Sequence, residues 1–175
     1  MALFGIRFDL RDPAFAPTTT AERYAAAVDM AEWADRLGFV TVTLSEHHGS
    51  DDGYLPSPLP VAAAMAARTS TTRLNIAAMI SGFHDPLRLA EDLAVVDILS
   101  NGRLDIVIAN GYVPSEFDMF GVPMSERAKR TTEMVTTLKQ AWTGEPFEFR
   151  GRTVCVRPTP VQPGGPPVSL GGSVE

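Results

Sequence analysis

The strongest constraint on the fold is an alternation. Apolar, β-branched stretches take turns with helical stretches, strand then helix four times over, and a further strand closes the series. The strands read as Leu3 to Asp9, Phe39 to Leu44, Arg73 to Ile80, Arg103 to Ala109 and Pro167 to Leu170. Thr19 followed by Glu22 is a capping box, and Tyr24, Ala27, Val28, Ala31, Ala34 and Leu37 follow at helical spacing up to Gly38. Ser57 with Pro58 starts a second helix, and Asp85 with Pro86 a third whose stripe is Leu87, Ala90, Ala94 and Ile98. Ser125 caps a fourth, which carries Met134, Leu138 and Trp142. This order predicts an α/β fold with a parallel sheet and right-handed crossovers. It does not by itself separate an open sheet from a barrel. No Gly-x-Gly-x-x-Gly follows the first strand, so a dinucleotide site has no support.

Ser45-Glu46-His47-His48-Gly49 sits where the second strand ends and a loop begins. In a (β/α) barrel, that end of the strands carries the chemistry. Imidazole changes charge near neutral pH, so it can move protons or hold a polar group. A polar surface turn is the competing reading. A metal site is a third, but neighbouring histidines point apart and no further His or Cys lies at ligand spacing.

The formal net charge of -6 argues against a nucleic-acid or membrane-surface partner. The single cysteine, Cys155, excludes an internal disulfide. No run approaches the roughly 18 to 20 apolar residues of a membrane span, and the first residues lack the pattern of a signal peptide. The expected compartment is the cytoplasm. Residues 110 to 124 read as a long loop of the kind that often serves function. Segments 145–150 and 153–157 read as a hairpin turning at Gly151-Arg152, outside the main sheet. Arg103 can complement the end of the third helix, and His84 reads as either a loop residue or a cavity residue.

Several segments, in order, resemble the bacterial luciferase-like flavin-dependent monooxygenases. They are Leu44-Ser45-Glu46-His47-His48, Leu74-Asn75-Ile76, the stretch Pro86 to Arg103 with Glu91-Asp92, Asp97 and Ser100-Asn101-Gly102-Arg103, then Gly111-Tyr112 with Phe117 and Phe120-Gly121, and Pro163-Gly164-Gly165-Pro166-Pro167-Val168. The resemblance implies a (β/α)8 barrel that binds FMN, or the deazaflavin F420 in a sister branch. It implies reduced FMN from a separate flavin reductase, oxygen as co-substrate, oxidation of a small organic molecule, and a homo-oligomer. By the same resemblance His47 lies beside the flavin as proton carrier, with Glu46 orienting the site. Met79-Ile80 matches the place of a non-proline cis peptide under the ring. Asn110 and Gly172-Ser173 match the phosphate region, and a Gly-Gly-Ser turn can offer backbone N–H groups to an anion. Some members carry arginine at the position of Asn110, which supplies no charge here. Light emission is not implied.

The resemblance covers five of eight strands, and comparable barrels need about 250 residues. The expectation is therefore the N-terminal portion, residues 1–175, of a luciferase-like barrel domain, a truncated barrel. Two further readings remain beside the monooxygenase: an F420-dependent oxidoreductase, and a non-catalytic flavin-binding remnant of the fold.

Overall fold

The computed structural model describes residues 2–172. Five strands form one parallel sheet: β1 (Gly5–Phe8), β2 (Thr41–Leu44), β3 (Arg73–Ile80), β4 (Leu104–Ala109) and β7 (Val168–Gly171). They lie in the order β1-β2-β3-β4-β7, each paired with its neighbour in the series. Among the described residues β1 and β7 each pair on one side only. The alternation in the sequence is thus a half-wound arc of parallel strands with helices on its outside, the α/β architecture expected.

The pleat divides the sheet into two faces. Val42, Leu44, Leu74, Ile76, Leu104, Ile106 and Ile108 are buried under the helices. The alternate positions, among them Arg7, Thr43, Asn75 and Asp105, line the other face and are polar and only partly covered. A parallel strand covered on both faces usually reads as continuously apolar. These strands alternate because their second face looks into the hollow of the arc.

Helix α1 (Thr20–Arg36) opens with the expected capping box: Thr19 Oγ1 accepts the Glu22 amide and Glu22 accepts the Thr19 amide. Its buried side is Ala27, Ala31 and Ala34, so it lies close on the sheet. Helix α2 (Pro58–Ala66) starts at the expected proline, but Ser57 makes no capping bond. Helix α3 (Pro86–Leu99) is capped by Asp85, which accepts the Leu87 and Arg88 amides. Its buried arc is Leu89, Ala90, Leu93, Ala94, Val96 and Asp97, while Ile98 of the expected stripe is 41% exposed. Contacts with both α2 and α5 widen and turn that arc.

Two expectations fail between β4 and β7. Residues 110–124 are not all loop: Pro114–Phe120 form helix α4, with proline at its start and Gly121 left-handed at its end. Those two signals were legible, but seven residues are too few for a periodic stripe. Ser125 lies inside a 3-10 turn over Met124–Glu126 and caps nothing; α5 (Arg127–Ala141) follows it directly. The hairpin is present as β5 (Phe147–Phe149) and β6 (Arg152–Val154), apart from the main sheet. Its turn is Arg150-Gly151, both with positive φ, one residue earlier than expected. No helix among the described residues is long and apolar enough to cross a membrane.

Candidate functional site

The strands end at one rim, and the side chains singled out by the sequence gather there. Glu46 follows β2 directly and is 1% exposed. Its Oε1 accepts bonds from His48 Nε2 at 2.8 Å and His84 Nε2 at 2.7 Å, and its Oε2 accepts the Ile80 amide at 2.7 Å. Burial alone would raise this carboxyl. The bonds from His48 and His84, the charge of His84 and the Ile80 amide outweigh burial and hold it below the usual carboxylate range. An ionised carboxylate only accepts, so both histidines present Nε2–H to it. Glu46 is therefore a strut that ties the ends of β2 and β3 to the loop before α3. His84, read as loop or cavity, serves this strut.

His47 faces the other way. Its ring lies edge-on to Tyr54, with centroids 4.6 Å apart, and edge-on to Tyr112 at 6.0 Å. Its Nδ1 is 2.9 Å from Glu116 Oε1, and that same oxygen accepts the His48 amide at 2.9 Å. Nδ1 donates to this carboxylate oxygen, and Nε2 has no hydrogen-bond partner among the described residues. Glu116, 3% exposed on α4, was hidden in what read as loop. Its Oε2 is buried and has no hydrogen-bond partner among the described residues.

Helix α4 is held down by aromatic contacts. Phe83 stacks on Phe120 at 4.6 Å and meets Phe117 edge-on at 5.0 Å, and His48 meets Phe120 edge-on at 4.6 Å. Gly111 makes the approach feasible. Its φ is +78, and a Cβ there would lie 2.8 Å from Ile80 Cγ2 and 3.0 Å from the Phe117 ring.

A cavity of about 480 Å³ opens at this rim, lined by Glu46, His47, Ala77, Ala78, Ile80, Asn110 and Gly172, together with Arg7, Ser45, Tyr112 and Arg127. The structure thus brings together His47, Glu46, Ile80, Asn110 and Gly172. Met79 departs from this group: it is fully buried and turns toward a second hollow beside Leu89 on the helix side. The cis peptide expected at Met79-Ile80 lies at Ala77-Ala78 instead. There the register of β3 against β4 slips, so that two small residues front the cavity. Ser173 lies outside the described residues.

At the far side of the cavity, Ser81 Oγ lies 2.6 Å from Thr131 Oγ1, which donates to Asn110 Oδ1 at 2.6 Å. With its oxygen so used, Asn110 has its NH2 left for the cavity. Arg127, the first residue of α5, lines the same side and makes no ion pair within 4.0 Å among the described residues. The charge that Asn110 lacks is therefore present one helix later. Only a residue type, not a spacing, marks Arg127 in the sequence. No cluster of three or more metal-ligating side chains occurs among the described residues.

This donor set fits a phosphate-bearing planar cofactor: an amide, a guanidinium, a helix start and the Gly171-Gly172 backbone at one side, and small residues across the middle. Comparison with known proteins gives the same direction. The chain is 31% identical over 157 residues to the oxygenase component of a flavin-dependent trigonelline monooxygenase of Acinetobacter baylyi, covering 86% of this chain and 43% of that one. It is 29% identical to the alkanal monooxygenase alpha chain of Photorhabdus laumondii, covering 89% of this chain and 44% of that protein. The crystal structure of the monooxygenase RslO1 from Streptomyces bottropensis superposes with a TM-score of 0.86 at 32% identity, over 97% of this chain and 53% of the other. The oxygenating constituent of 3,6-diketocamphane monooxygenase from Pseudomonas putida, solved with FMN, shares the fold with a TM-score of 0.82 at 19% identity. The chain thus spans about half the length of these relatives. The family profile described as luciferase-like monooxygenase matches residues 6–175, and with that match over the rim, the strands and the helices described above, the chain belongs to the luciferase-like monooxygenase family.

Proposed function

We propose that the complete protein is an FMN-dependent monooxygenase that uses reduced FMN and oxygen to oxidise a small organic substrate. The observation that carries this reading is His47: its Nδ1 is tied to Glu116, which leaves Nε2 directed at a cavity that has phosphate-binding groups at its other side. FMN held there supplies the reducing equivalents that activate oxygen. Asn110, Arg127 and Gly172 hold its phosphate, and Ala77, Ala78 and Ile80 form the floor on which a flat ring can lie.

In this reading His47 is the proton carrier. The bond from Nδ1 to Glu116 sets the ring's orientation and leaves Nε2 for the proton transfer. Glu46 does not touch the cofactor's reacting atoms; it positions the backbone on either side of His47 through His48, His84 and Ile80. A flavin reductase supplying the reduced cofactor, and a cytoplasmic homo-oligomer, belong to the same proposal. His47→Ala in the complete protein is expected to leave FMN affinity within a few-fold and to lower substrate-dependent oxygen consumption by about 10²- to 10⁴-fold, the usual weight of a general acid or base. Unchanged turnover would remove His47 from this role. Reduced F420 supporting turnover where reduced FMN does not would replace the cofactor.

A further inference from the structure

The cavity has a second cationic wall that the phosphate reading does not use. Arg7 sits on β1, facing the hollow, and lines the cavity beside Ser45 and His47. Its Nη2 points at Ser45 Oγ, 3.3 Å away, and at Tyr54 Oη, 3.5 Å away, and those two hydroxyls are 2.8 Å from each other. Tyr54 is 8% exposed and its ring rests on that of His47. Among the described residues, Nε and Nη1 of Arg7 have no hydrogen-bond partner and no carboxylate lies within 4.0 Å of the guanidinium.

Its neighbours are different. Arg11 pairs with Asp52 at 3.4 Å and covers the Tyr54 ring, and Arg23 pairs with Asp12 at 2.8 Å. Glu46, the carboxylate that lines the cavity, is committed to His48, His84 and the Ile80 amide. A guanidinium is a planar fork matched to a carboxylate, and exposed Arg7 turns unpartnered N–H groups to this cavity. Arg7 is also well away from the phosphate side. From β1 to β4, where Asn110 follows, is three strand spacings, about 14 Å. The strand adjacent to β1 is β2, so an anion on Arg7 lies next to His47.

We infer that Arg7 is a substrate-binding residue and that the substrate carries an anionic, carboxylate-type group, which Arg7 holds beside His47 Nε2. This deepens the proposed monooxygenase activity, and the word substrate rests on that proposal. The hydroxyls of Ser45 and Tyr54 hold Nη2, so the guanidinium is presented to the cavity already oriented.

The test uses the flavin-free complete protein, labelled with nitrogen-15 and titrated in parallel with benzoate and with its neutral isostere benzamide. Benzoate is expected to shift the Arg7 Nε–H and His47 ring signals and to bind at least about tenfold more tightly than benzamide, the scale of one charge-assisted contact. Arg7→Gln, which keeps a polar side chain but removes the charge, is expected to abolish that preference, and Arg7→Lys to keep part of it. Equal affinities overturn the inference. So do benzoate binding that survives Arg7→Gln, shifts centred on Arg127, or no benzoate binding at all. FMN affinity is measured on the same samples. Loss of FMN binding with the benzoate preference intact refutes the cofactor reading alone, and the converse refutes the role of Arg7 alone.

Discussion

Where the strands begin, Arg103, Asp97 and Asp35 are each held by several hydrogen bonds. Arg103 donates to the carbonyls of Ser100, Thr72, Thr69 and Ala66 and to Thr69 Oγ1, closing the ends of α2 and α3. Asp97, fully buried, accepts the Val161 and Gln162 amides and the Gln162 side chain, which pins the proline-rich connector to α3. Asp35 collects the amides of Ser70, Thr71 and Thr72. Where the strands finish, Arg7 and Arg127 have no carboxylate within ion-pair distance and Glu116 Oε2 has no donor, among the described residues. One end has spent its polar groups on the fold and the other has kept them in hand. In barrels of this type, stability belongs to the first end and chemistry to the second. Glu46 is the fully buried exception there, beside the partly exposed Arg11–Asp52 and Arg23–Asp12 pairs.

That exception gives the largest expected effect. Glu46→Ala strips a buried carboxylate from His48, His84 and the Ile80 amide at once. A cost of about 3–5 kcal/mol in unfolding free energy is expected, as for other broken buried pairs, read from the urea midpoint. A loss under about 1 kcal/mol would mean that Glu46 is a site group like its neighbours, not a strut. Arg103→Met comes next. It keeps the apolar stem but leaves several helix-end carbonyls without a donor, at about 2–4 kcal/mol in total. If it costs less than Arg7→Met, the contrast between the two ends is wrong.

Asp35 tests the lower end by pH. Burial alone would raise its carboxyl, but the amides of Thr72 and Ser70, with the Thr71 hydroxyl and amide, hold it at about 2 against 3.8. A depressed carboxyl contributes its stability in full above the unfolded value of 3.8 and loses it as pH falls toward 2. Asp35→Asn is expected to cost about 1 kcal/mol at neutral pH and to flatten the fall of stability between those pH values. An unaltered acid limb of the stability curve would dismiss the loop anchor.

The legible signals were the ones written between neighbouring residues. The capping box at Thr19, the Asp85-Pro86 start and the full extent of β3 follow from local chemistry that the sequence writes in adjacent letters. The Glu-His-His cluster was legible as a cluster, but its division of labour was not. His48 and His84 serve Glu46 while His47 answers to Glu116, because neighbouring side chains leave the chain in opposite directions. Glu116 and Arg127 escaped because they lie 69 and 80 positions beyond His47, on helices whose placement only the folded chain reveals. Met79 was misplaced by the slip at Ala77-Ala78, which no periodicity announces.

The smallest expected change in stability falls on Glu116, and it is the sharpest test of the contrast. Glutamine is the same shape, so its Oε1 can keep both the His47 Nδ1–H and the His48 amide. Its NH2 replaces an oxygen that already has no partner. Glu116→Gln should therefore cost about 1 kcal/mol or less. Alanine removes the acceptor itself. If the upper end is organised to present a bare Nε2 to the cavity, nitrogen-15 spectra of His47 should show the Nδ1–H form in the native chain and in Glu116→Gln. Glu116→Ala should give a mixture of the two tautomers, because nothing then favours either. An unchanged tautomer in the alanine variant would show that Tyr54 and Tyr112 alone fix the ring, and that Glu116 belongs with the groups spent on the fold. A retained tautomer in the glutamine variant, with turnover of the complete protein still lowered, would assign the difference to charge, the property that an acceptor of identical geometry cannot supply.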